Sequence, residues 1–243
     1  MSSNRFAVFD IDGTVFRWQL YYEVVLRLAE SGFFSKKDTQ LLHDRFNAWQ
    51  SRTRNFHDFE VVAIDLLTKT LPKLEVGQFQ TVVSQVLSDS SHKVYSYTRG
   101  LAKDLKHRGY FLLALSGSMQ EIAEPFSKLY GFDDCIGWVY EHKDGLFTGN
   151  TLRQTVGNKA KLLKTYVDEH GLSYEGSIAV GDSKGDIDIL EAVAQPIAFN
   201  PSIELLDAAK ANGWMIVIER KNIAYTLKKE NNGTYVLAEA DTV

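Results

Sequence analysis

Asp10 and Asp12 are the first residues of this chain whose types and spacing can do chemistry. They close the apolar run Phe6-Ala7-Val8-Phe9 and are followed by Gly13 and Thr14. In an extended strand, residues i and i+2 share a side, so both carboxylates face one place, while Gly13 permits a sharp exit from the strand. Two carboxylates about 4 Å apart repel by roughly 4 kcal/mol at an effective dielectric near 20, which calls for a proton, a cation or deep hydration. A metal ion meets that need. An Asp-Gly step also makes ordinary turns, and an Asp at a strand end also caps a following helix. The pair therefore gains meaning only together with the rest of the chain.

The elements that must position these acids follow from the apolar pattern. After Thr14 the spacing turns helical, predicting helices near 18–30, 37–52, 57–71 and 76–88 with no strand-like alternation between them. Ser35-Lys36-Lys37-Asp38 reads as a helix-start cap, and Leu71-Pro72 as a helix end. From about Tyr95 the chain changes to helices alternating with short apolar runs. These runs are Phe111–Leu115, ending at Ser116-Gly117-Ser118; Cys135–Val139; Ile178-Ala179-Val180, ending at Gly181-Asp182; and Pro196-Ile197-Ala198. Such alternation predicts an α/β fold with a parallel sheet covered on both faces. Ligands of open α/β sheets bind beyond the carboxyl ends of the strands, which is where Asp10, Asp12, Ser116, Ser118, Asp182 and Asp186 fall. Two segments read as hairpins, 138–148 around Lys143-Asp144-Gly145 and 223–237 around Asn231-Asn232-Gly233.

Composition narrows the partners. The 243 residues carry a net charge of −4 with no long basic block, so neither nucleic acid nor an anionic membrane surface is expected. Cys135 is the single cysteine, which excludes an intramolecular disulfide and fits a reducing compartment. No apolar run approaches the roughly 20 residues that span a bilayer. Met1-Ser2-Ser3-Asn4 lacks a leader pattern, and the expectation is a cytoplasmic protein acting on a small molecule.

In order and spacing, Asp10-Ile11-Asp12-Gly13-Thr14, Ser116, Lys159 and Asp182 with Asp186 resemble the four motifs of haloacid dehalogenase-superfamily phosphatases. Lys159, twenty-three positions before Asp182, sits where phosphoserine-phosphatase-like members place their lysine, and is preferred to Lys161. The tail 195–201 with Gly213-Trp214 is similar to subfamily IB, and only the C-terminal hairpin lies outside the match. The resemblance implies a Rossmann-like core of residues 1–15 and 91–243, and a helical cap of residues 16–90. It also implies Mg²⁺-dependent hydrolysis of a small phosphomonoester through an aspartyl phosphate.

In that scheme Asp10 attacks phosphorus and Asp12 is the general acid and base. Asp10, the Asp12 main-chain carbonyl and Asp182 suit Mg²⁺, a hard cation that prefers oxygen, with Asp186 as an indirect or orienting group. Gly13, Thr14, Ser116, the Gly117 amide and Lys159 bind the phosphoryl group. Transfer to an alcohol instead of water, and a noncatalytic phosphate-binding descendant, are the alternatives. Specificity is expected between Phe16 and Ser90. Arg17, Arg52, Arg54 and His57 are candidates there for an anionic group, and Trp49, Phe56 and Phe59 are expected in the cap's own core. Gln19 stands where phosphoserine-specific relatives usually carry Glu for the substrate amine, and Glu23 lies one helical turn further on. Gly185 stands where those relatives often have Asn. The substrate therefore stays open.

Overall fold

The computed structural model describes residues 4–243, so the leader reading of Met1–Ser3 lies outside the described residues. Two compact units share the chain, one of residues 1–18, 92–138 and 154–243, the other of residues 19–91 and 139–153. Among the described residues, no helix is long and apolar enough to cross a membrane.

The first unit is built on a sheet whose central strand, β1 (Arg5–Phe9), buries Phe6, Ala7, Val8 and Phe9 completely. A strand covered on both faces must be apolar at successive positions rather than at alternate ones, which is why the run is continuous. Each large side chain buried there contributes about 1.5–3 kcal/mol. Parallel β2 (Phe111–Met119) and β5 (Ser173–Gly181) flank β1, with Phe9 level with Ala114 on one side and Val180 on the other. Outward from β2 lies β3, which starts at Asp134 and runs to Lys143. Outward from β5 lie β6 (Gln195–Phe199), β7 (Met215–Arg220), β8 (Ile223–Lys229) and β9 (Tyr235–Thr242). The expected C-terminal hairpin is β8 and β9, and it extends this sheet in antiparallel fashion through β7. Helices join the parallel strands, with α6 (Gln120–Leu129) following β2 and α9 (Ile203–Asn212) following β6.

One strand departs from its expectation. Ser116-Gly117-Ser118, expected to close the apolar run Phe111–Leu115, belongs to β2, which continues to Met119 and aligns Met119 with Trp138 of β3. Pairing with β3 resumes at Met119 after an irregularity, and that long-range pairing is invisible to local composition.

The second unit contains α1 (Leu20–Glu30), α2 (Lys36–Gln50), α3 (Phe56–Thr70) and α4 (Val76–Ser90), close to the predicted bounds. Ser35 caps α2 by accepting from the Asp38 amide at 3.2 Å, and Asn55 caps α3 by accepting from the Asp58 amide at 3.0 Å. Pro72 sits in a short 3₁₀ turn directly after α3. Trp49, Phe56 and Phe59 pack with Phe46 and Tyr22 at centroid separations of 5.2–5.8 Å, an aromatic core of the kind expected. Residues 139–153, placed by the sequence reading in the catalytic core, group instead with these helices. There β4 (Leu146–Arg153) pairs antiparallel with the end of β3 across a tight turn at Asp144 and Gly145, both at positive φ. The hairpin joins this unit because Val76 N–H donates to Gly145 and Phe147 N–H to Leu74, while Phe147 meets Phe79 edge-on at 5.5 Å.

Candidate active site

Asp10 directly follows β1 and keeps the strand ladder going, its N–H donating to the Val180 carbonyl at 2.9 Å. Ser116 is on β2, and Asp182 follows β5, so three adjacent parallel strands deliver these groups to one sheet end. Lys159 is the first residue of α7 (Lys159–Glu169) and is buried, whereas Lys161 is exposed. Its Nζ donates to Asp10 Oδ1 at 2.6 Å and to Asp186 Oδ1 at 2.7 Å. Asp186, with no exposed surface, accepts on its other oxygen from the Ser183 amide at 3.0 Å and the Ser183 hydroxyl at 2.9 Å. Both Asp186 oxygens are thus occupied by donors of the chain itself. A fixed, fully buried carboxylate in this position orients the lysine.

The Gly13 backbone is shaped by the same cluster. It adopts φ +89°, and a Cβ built there would lie 2.1 Å from Asp182 Oδ2. Gly13 N–H donates to the Phe16 and Trp18 carbonyls at 3.0 Å each, folding the loop back on itself. Thr14 donates from Oγ1 to Asp182 Oδ1 at 3.4 Å and is locked in turn by the Thr98 hydroxyl, 2.8 Å from the Thr14 carbonyl.

Asp10, Asp182 and Asp186 each offer a carboxylate oxygen, all within 4.8 Å of one another. Burial pushes the Asp10 carboxyl up to about 7 against the pull of Lys159, with repulsion from Asp186 and Asp12 adding to the rise. Burial, then repulsion from Asp10 and Asp186, raises Asp182 to about 9. For Lys159 burial acts to lower the pKa, but Asp10 and Asp186 overcome it and hold the ammonium above the ordinary lysine range. One ammonium does not neutralise three clustered acids, two of them buried, and an all-oxygen donor set of this kind fits a hard divalent cation such as Mg²⁺. The Asp12 carboxylate is outside the triad. It accepts from the Ser118 hydroxyl at 2.5 Å and from Ser116 at 3.4 Å, while the Ser118 amide donates to Ser116 Oγ at 3.0 Å.

A pH effect follows from the raised carboxyl groups. Because the folded chain holds protons on Asp10 and Asp182 that the unfolded chain has released, stability without a cation falls as pH rises from the ordinary carboxylate range toward about 9. A cation replaces those protons, so its stabilisation grows with pH. Thermal melting with chelator or with excess MgCl₂ should show a larger Mg²⁺-induced rise in Tm at pH 8 than at pH 6. A shift independent of pH would contradict the charge balance described.

Sequence reasoning assembled Asp10, Asp12, Gly13, Thr14, Ser116, Lys159, Asp182 and Asp186, but it gave no role to Ser118 or Ser183. The signal for Ser118 was available: two residues after Ser116 on one strand, it faces the same side, provided β2 is extended through Met119. The arginine candidates separate. In the helical unit, Arg54 pairs with Asp58 and His57 with Glu60 at 3.2 Å each, one helical turn apart. Arg17 belongs to the loop of Asp10–Thr14.

A family model for haloacid dehalogenase-like hydrolases matches residues 7–191, a span that includes every site residue above. The chain belongs to that family. Among curated hydrolases it is 24% identical over 212 residues to the phosphoserine phosphatase SerB2 of Mycobacterium tuberculosis, covering 86% of this chain and 47% of that protein. It is 25% identical over 220 residues to a histidinol-phosphatase of Neisseria meningitidis, covering 87% of this chain and 97% of the other. The chain therefore spans about half of the mycobacterial relative and nearly all of the meningococcal one. Its fold is shared with a solved phospho-aspartyl intermediate analogue of phosphoserine phosphatase, at TM-score 0.59 and 19% identity over 90% of this chain and 95% of the other.

Proposed function

We propose that the protein is a Mg²⁺-dependent phosphomonoesterase, acting in the cytoplasm on a small organic phosphate through an aspartyl phosphate on Asp10. The observation that carries this reading is the buried Lys159, bonded at once to Asp10 and Asp186 beside Asp182. That is a carboxylate placed for nucleophilic attack, with a cation bonded to it where a phosphate dianion must approach. The likeness to phosphatases of both phosphoserine and histidinol phosphate supports the phosphomonoester class.

In the first half-reaction an Asp10 oxygen forms a bond to phosphorus as the bond to the leaving oxygen breaks, and Asp12 gives that oxygen a proton. In the second, Asp12 takes a proton from water, the water oxygen attacks phosphorus, and the aspartyl bond breaks to release inorganic phosphate. Ser118 holds the Asp12 carboxylate for both transfers. Ser116, the Gly117 amide and Lys159 stabilise the phosphoryl oxygens as charge moves onto them. Asp10, the Asp12 main-chain carbonyl and Asp182 would hold Mg²⁺, with Asp186 orienting them; when bound, the ion supplies Lewis-acid charge stabilisation. The helical unit, inserted between the first two motifs, serves as the substrate-selecting cap.

The test is a screen of phosphoamino acids, phosphorylated amino alcohols, sugar phosphates and nucleotides, with Mg²⁺ or with chelator, read as released phosphate. Mg²⁺-dependent turnover of at least one class is expected. Binding without turnover across the screen would overturn the reading, and loss of released phosphate when an alcohol is added would mark a phosphotransferase.

A further inference from the structure

The loop that carries the nucleophile also carries an exposed cation with no acid partner. Arg17 enters no ion pair among the described residues, unlike Arg54, which pairs with Asp58. Its backbone position is fixed on three sides. The Phe16 and Trp18 carbonyls on either side of it both accept from Gly13 N–H, and its own N–H donates to the Lys93 carbonyl at 2.9 Å. Gly13 in turn sits against the Asp182 carboxylate. The base of the Arg17 side chain is therefore tied to the residues of the acid cluster, whatever the rest of the chain does.

The side chain has an aromatic neighbour. Its guanidinium lies 5.4 Å from the centroid of the Tyr95 ring, and that ring packs edge-on against Phe199 at 4.9 Å. A guanidinium held over a ring face by its charge keeps N–H donors for a further partner. A donor fork carried on the loop of the reaction centre, with no acid partner among the described residues, matches a carboxylate or a phosphate, which such a fork binds through two parallel hydrogen bonds.

We propose that Arg17 is a specificity-determining residue that pairs with a second anionic group on the leaving portion of the substrate. The preferred substrate is then a phosphomonoester that carries a carboxylate or a further phosphate, rather than one with a neutral or cationic leaving group. This rests on the phosphomonoesterase reading above and deepens it.

The test compares kcat/KM of the full chain with that of Arg17→Gln and Arg17→Lys on four probes with Mg²⁺. Phosphoglycolate carries a carboxylate, fructose 1,6-bisphosphate a second phosphate, p-nitrophenyl phosphate a neutral leaving group and phosphoethanolamine a cationic one. Turnover of p-nitrophenyl phosphate by the unaltered chain reports on the underlying phosphatase reading, and the ratio of anionic to neutral probe reports on Arg17. The unaltered chain should favour one anionic probe, and the favoured one names the group bound. In Arg17→Gln that ratio should fall about 10- to 100-fold, mainly through KM, as for loss of a hydrogen-bonded charge pair. Arg17→Lys, which keeps the charge but not the fork, should fall between. An equal loss on all probes, or an unchanged ratio, would overturn the proposal, because a merely structural residue lowers every substrate alike.

Discussion

Replacing Asp10 by Asn is expected to remove Mg²⁺-dependent phosphate release, by about 10⁴-fold or more in kcat, while the fold survives. The amide has nearly the shape of the carboxylate but lacks the anionic oxygen that must bond to phosphorus. Its structural cost is small for a stated reason. Burial already works against the charged form of Asp10, whose carboxyl is pushed up to about 7. The neutral side chain relieves that burden as it gives up one of two bonds from Lys159, which keeps Asp186 at 2.7 Å. Circular dichroism and melting should match the unaltered protein within a few degrees. Mass spectrometry after acid quench should find a phosphoryl group on the unaltered chain and none on Asp10→Asn. Substantial turnover by the variant would sink the nucleophile assignment.

The second large effect is on stability. Lys159→Met keeps the length of the buried stem and removes the ammonium that is bonded to Asp10 and Asp186. Breaking a buried ion pair by deleting one partner costs about 3–5 kcal/mol, because the other partner stays buried and uncompensated. For a chain of this size that corresponds to a fall in Tm of roughly 6–20 °C. The loss is pH-dependent, with a definite sign. Without Lys159, whose charge pulls both groups down, the Asp10 and Asp182 carboxyls rise further, so the folded variant binds still more protons than its unfolded chain, and its deficit grows as pH rises. Near pH 8 in chelator the full deficit is expected. At about pH 5 the Asp10 and Asp182 carboxyls are protonated in both proteins, and the gap should narrow. Denaturant unfolding of both proteins at the two pH values measures this, and equal stability at pH 8 would show that the cluster is balanced in some other way.

The two substitutions separate what Asp10 does in chemistry from what Lys159 does for the fold. Both are legible at the level of residue type and spacing. Asp10-Ile11-Asp12-Gly13-Thr14 is readable because strand alternation and a glycine turn are local properties of a few residues. The four helices of the second unit were readable because their apolar period, the cap at Ser35 and the stop at Leu71-Pro72 are short-range signals. The C-terminal hairpin followed from its Asn-Asn-Gly turn, and Gly233 indeed adopts φ +87°.

Tertiary structure alone decided what depends on partners distant in sequence. Nothing local to Lys159 says that it bonds both Asp10, 149 residues away, and Asp186, 27 residues away. Nothing near Leu115 says that β2 runs on to Met119, which is what places Ser118 against Asp12. The hairpin at 139–153 carries the alternation of any sheet edge, and only its bonds to Leu74 and Val76 assign it to the helices. Periodicity and turn chemistry act within a few residues and are written in the sequence, whereas burial, ion pairing and strand register arise between segments and exist only once the chain has packed.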